Sequence, residues 1–183
     1  METLGQAIEP WHEFYAAVSA TSATLVGLLF VSLSLNLKLV TGEQHAEIRA
    51  LAIQTFVNFT YVLIISLIFL IPNLSPSGVG ITFSIFGVLG TVSVVRAIIA
   101  TTRERKRHWR TTAQYWRFVA GRFVLPLAAY IVLTLIAILL WTGSTDRVDW
   151  MVFVIFSLLG SAISVAWDLF LELGRSSVDE SRG

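Results

Sequence analysis

The chain has 183 residues, 55% of them hydrophobic and only 14% charged, whereas a soluble domain of this size carries about a quarter of its residues charged. That balance points to lipid as the main solvent. The formal net charge of +1 names no partner, and the lack of cysteine excludes disulfides and thiolate metal sites. His12, His45 and His108 are scattered without ligand spacing, so neither a metal nor a cofactor is expected.

Charge-free stretches run over 14–37, 50–95, 123–145 and 150–167, and the second is broken by Pro72-Asn73 and Pro76-Ser77-Gly78. A helix needs about 20 apolar residues to cross a bilayer. The runs are continuously apolar rather than alternating, which favours helices over a barrel. The expected fold is therefore an all-α polytopic bundle in a single transmembrane domain over 1–183. Its five helices lie near 13–37, 49–72, 79–101, 119–142 and 149–172. The short loops near 73–78 and 143–148 predict antiparallel hairpins.

The first helix is not expected to be a signal peptide. No Lys or Arg precedes Lys38, and Glu2, Glu9 and Glu13 stand where a basic region would be. Ser19, Ala23 and Gly27 recur along it at four-residue spacing. Small faces let backbones approach closely in lipid. Packing within one subunit and a subunit interface both fit this stripe.

The same helix reads Trp11, Phe14-Tyr15 and then Ala23-Thr24-Leu25-Val26-Gly27-Leu28-Leu29-Phe30-Val31. Over residues 11–36 it resembles the first helix of small, uncharacterised multi-pass membrane proteins of bacteria. The resemblance implies a cell (inner) membrane location and no particular activity.

In the second helix Gln54, Asn58 and Tyr61 share one face. Amides in lipid need partners, so this face implies either interhelical hydrogen bonds or a hydrated cavity. The third helix carries Arg96 near its end, where the side chain either snorkels to headgroups or meets a charge. The segment 101–120 places Arg103, Arg107, Arg110 and Arg117 at helical spacing beside Trp109 and Trp116. An interfacial amphipathic helix on anionic lipid explains the tryptophans better than a nucleic-acid surface does. In the fourth helix Pro126 predicts a kink, with Tyr130 and Thr134 following it. The fifth carries Ser157, Ser161, Ser164 and Asp168 as one polar stripe.

Orientation follows from Lys and Arg. With the N-terminus outside and the C-terminus inside, twelve of the 13 basic residues fall on the cytoplasmic side and only Arg147 falls outside. In this frame Asn36, Gln54, Asn58, Tyr61, Arg96, Ser161, Ser164 and Asp168 are candidates for a polar cavity or pore on the cytoplasmic side. An Arg96–Asp168 charge pair is the sharpest form of that expectation.

No HExxH, GxSxG or phosphate loop occurs, so an enzyme is not expected. The chain contains no internal repeat of the kind that builds alternating-access transporters. Two readings remain. One is a homo-oligomeric ion channel with a polar cytoplasmic vestibule. The other is a non-catalytic accessory, scaffold or sensor subunit. The expected partners are membrane lipids, anionic headgroups among them, and further copies of the chain.

Overall fold

The computed structural model describes residues 4–36, 46–105, 112–145 and 147–180. A short helix α1 (Leu4–Ile8) and a 3-10 turn at Glu9–Trp11 lead into α2 (His12–Leu35). Then come α3 (Ala46–Leu70), α4 (Pro76–Arg105), α5 (Thr112–Trp141) and α6 (Trp150–Glu180). No strand occurs among the described residues. Among the described residues five helices are long and apolar enough to cross a membrane, so the chain has the build of a multi-pass membrane protein.

The boundaries differ from expectation mainly near residues 101–120. Residues 101–105 continue α4 and residues 112–120 begin α5, so most of the expected surface helix is absorbed into two spanning helices. No proline or glycine interrupts either extension until Gly121, and a helix already nucleated propagates cheaply. Arg103 thus belongs to α4 and Arg117 to α5, while Arg107 and Arg110 lie outside the described residues. The other additions are α1, whose Leu4 and Ile8 are buried in the main core, and residues 173–180, which continue α6 beyond its expected end.

Local chemistry sets the turns. Ser75 caps α4: its Oγ accepts a bond from the Gly78 N–H at 3.2 Å, and Pro76 follows at the first helical position. Asn73 takes φ 57° in the preceding turn, a conformation asparagine tolerates. Helix α5 ends at Gly143, with φ 85°. The Ser144 N–H reaches Leu139 O at 3.0 Å and the Gly143 N–H reaches Leu140 O at 3.1 Å. This pairing satisfies carbonyls that the helix end would leave open.

The spatial order of the long helices is α2, α3, α6, α5, α4. Cross-contacts make each packed pair antiparallel. Tyr15 meets Phe69 at one end of α2–α3, while Leu29 and Leu33 pack on Leu51 and Ala52 at the other. The end carrying Trp11, Leu70 and Trp150 is called the N-terminal end below, and the opposite one the basic end.

The hairpin expected between the second and third spans is loose in the structure. The backbones of α3 and α4 come close at few positions, and α4 packs on α5 instead. Bulky rings hold α3 and α4 apart: Phe69 on Phe83 at 5.3 Å and Tyr61 on Phe86 at 5.6 Å. Between α4 and α5 the opposite holds. A Cβ on Gly80 would lie 2.8 Å from Ala137 O and 2.9 Å from Trp141 N. One on Gly87 would strike Thr134, and one on Gly90 the Tyr130 ring. Only glycine permits so close an approach.

Candidate functional site

Three helices meet at one amide. Asn58 on α3 is 3% exposed. Its Nδ2 donates to Ser161 Oγ on α6 at 3.1 Å, and its Oδ1 accepts from the Tyr130 hydroxyl on α5 at 3.2 Å. Tyr61 stands one turn along α3 from Asn58. Its ring lies edge-on to Tyr130 at 5.1 Å, and its hydroxyl donates to Phe86 O on α4 at 3.2 Å. This polar centre therefore joins α3, α4, α5 and α6. Within a low-dielectric core an unpaired amide would be costly, and here it is held by two neutral partners. Such a cluster holds helices in register. Among the described residues no group of His, Asp and Glu could hold a metal ion.

The stripe on α6 changes character along its length. Ser157 and Ser161 are 5% and 4% exposed, while Ser164 and Asp168 are exposed. At about 100° per residue Asp168 falls angularly between Ser157 and Ser161. The side of α6 that faces protein at mid-depth is thus open at the basic end. Beside it Val165 and Leu169 pack with Leu51 and Ala52 in a second, smaller core. The bundle is tight on the α2–α3–α6 side and open beyond Ser161. Ser164 Oγ donates to Gly160 O at 2.9 Å.

The remaining candidates disperse. Gln54 is half-buried on the Asn58 face. Asn36 is half-buried at the end of α2, where its Nδ2 donates to Ser32 O at 2.9 Å. Arg96 is exposed on α4. It lies two residues beyond buried Val94, which places it on the opposite side of the helix. Helices α4 and α6 are not packing neighbours, so Arg96 and Asp168 are not brought together within the chain. Arg96 faces outward, the geometry of a side chain that snorkels.

On α2 the small residues divide between two environments. Ser19 is 8% exposed and its Oγ donates to Ala16 O at 2.9 Å. Ala23 and Gly27 are exposed, and a Cβ added at Gly27 would meet nothing within 4 Å. The hydroxyls of Tyr15, Ser22, Ser66 and Ser84 are buried without a hydrogen-bond partner.

Sequence reasoning missed the role of Tyr130 as partner of Asn58, and it missed the glycine seam of α4. The signals existed. Tyr130 is a polar aromatic inside a span, and Gly80, Gly87 and Gly90 share one helical face. No protein-family model matches the chain, nor does any curated protein or solved structure.

Proposed function

We propose that the protein is a non-enzymatic, homo-oligomeric channel of the bacterial cell membrane, with its conduit between copies rather than through one subunit. The observation that carries this reading is the outward face of α2. Ala17, Ala20, Thr21, Thr24 and Gly27 are exposed there, and Gly27 has open space where a side chain would be. A glycine inside a helix costs roughly 0.5–1 kcal/mol relative to alanine. Nothing among the described residues requires it at this position, whereas close approach of a second copy would. Thr21 and Thr24 donate to Ala17 O and Ala20 O at 2.8 and 2.9 Å, so their hydroxyls tolerate both lipid and a water-filled axis. The polar centre argues against a conduit inside the subunit, because its amide is tied to neighbouring helices.

The basic end faces the cytoplasm in this reading, in keeping with the Lys and Arg bias. Asn36, at the end of α2, then stands near the inner mouth, where polar groups bias which ions enter. The basic residues of 101–120 contact anionic headgroups. The test is native mass measurement in nanodiscs, followed by planar-bilayer recording of wild type and Thr24→Val. Oligomers whose conductance changes with Thr24 are expected. A monomer in every lipid would overturn the assembly, and silent oligomers would leave the accessory-subunit reading in its place. That second reading draws on the closed polar centre, which suits a rigid scaffold.

A further inference from the structure

We infer that the seam between α3 and α4 is a lateral gate, which parts toward the basic end and opens the Asn58–Tyr130 centre to the bilayer while α4 stays fixed to α5. The two seams of α4 differ in kind. Toward α5 Gly80 sits against backbone, where a Cβ would lie 2.8 Å from Ala137 O and 2.9 Å from Trp141 N, while a Cβ at Gly87 would strike the Thr134 hydroxyl and come within 3.1 Å of Thr134 N. Interlocked surfaces of this sort slide or part only at the cost of many packing contacts. Toward α3 the helices touch through ring edges, and a hydrogen bond from Tyr61 to Phe86 O spans them at 3.2 Å. One interhelical hydrogen bond in a membrane is a weak tie.

The geometry also fixes where the seam can open. At the N-terminal end α3 and α4 are tied by the turn at 71–75, with Ser75 capping α4. The Phe69–Phe83 contact lies beside that turn and the Tyr61–Phe86 contact lies deeper. Separation must therefore grow with distance from the turn, like a hinge opening. Tyr61 is the side chain between the seam and the interior, because its ring lies on Tyr130 and Tyr130 holds Asn58. Moving Tyr61 away uncovers a phenol and an amide, groups that hydrogen-bond water or the polar part of an amphiphile. Such a gate would operate whether or not the protein conducts.

The chain has no cysteine, so pairs of introduced cysteines carry spin labels without background. In the full chain in nanodiscs, Ile53 with Val95 reports the α3–α4 seam. Val92 with Val124 reports α4–α5, and Ile53 with Ile163 reports α3–α6; all five positions are exposed. Tyr61→Phe removes the spanning hydrogen bond, and Phe83→Ala separately weakens the outer ring contact. The expected result is a second, longer distance population in the α3–α4 pair in at least one variant, with both control pairs unchanged. An α3–α4 distribution identical to wild type in both variants would overturn the gate. So would lengthening shared by the controls, which would mean general loosening.

Discussion

Asn58 shows how much one side chain can organise when lipid is the solvent. Replacing it with leucine removes both bonds of the amide. Ser161 can turn back to its own helix, as Ser164 does to Gly160 O at 2.9 Å, but the Tyr130 hydroxyl has no such retreat. An unsatisfied buried group costs about 1–3 kcal/mol. Asn58→Leu should therefore lower stability in detergent by about that much, and adding Tyr130→Phe should recover part of the loss. A double-mutant cycle by denaturant titration in micelles reads the coupling, expected between about 0.6 and 1.7 kcal/mol. Strict additivity would mean that this bond contributes nothing. The Gln54–Asn58–Tyr61 face was legible because helical spacing is a property of one segment. Its partners were not, since spacing says which residues share a face and nothing about which faces meet. Arg96 and Asp168 make the same point. Both lie toward the basic end, yet one faces outward from α4 and the other lies at the open end of α6.

Helices with similar small-residue patterns are used in different ways. On α4 the glycines permit packing inside the chain, and on α2 Gly27 faces outward. The contrast predicts opposite responses to the same substitution. Gly87→Ala should destabilise the fold by about 1–3 kcal/mol, because the backbone of α5 must yield. Gly27→Ala should leave fold stability equal or raised by up to about 1 kcal/mol. Thermal melts in detergent separate the two, and a loss of stability in both would mean that α2 is more enclosed than its exposure indicates. Gly27→Leu is expected to shift the native mass toward monomer without lowering the melting point. The spans were readable from the uncharged runs because burial of backbone polar groups leaves a helix little alternative in lipid. The order of packing was not, because an apolar face turned to lipid and one turned to another helix have the same composition. A short loop brings two helix ends together, but the rings of Tyr61, Phe69, Phe83 and Phe86 decide how far apart their axes stand.

At the scale of the whole molecule, the asymmetry of charge and the alternation of five helices make a single prediction about orientation. Single cysteines at Ser75 and Thr142, both exposed, should react with an impermeant maleimide added to intact cells, while one at Thr111 should not. Labelling at Thr111 alone would invert the topology. The basic segment should then meet the anionic leaflet. Replacing Arg103, Arg107, Arg110 and Arg117 with glutamine removes four charges worth about 1 kcal/mol each near such a surface. Native mass spectra of the full chain should show fewer retained anionic lipids, and equal retention would remove that contact. The polar centre also bears on how the protein is made. The partners of Asn58 lie 72 and 103 residues further along the chain, so a ribosome delivers the amide to the bilayer long before Tyr130, and longer still before Ser161. The second and third spans must wait, with that group unsatisfied or held by water or the insertion machinery, until the last span arrives. A polypeptide that stops short of α6 carries its own mark of incompleteness, a half-bonded asparagine inside its second span.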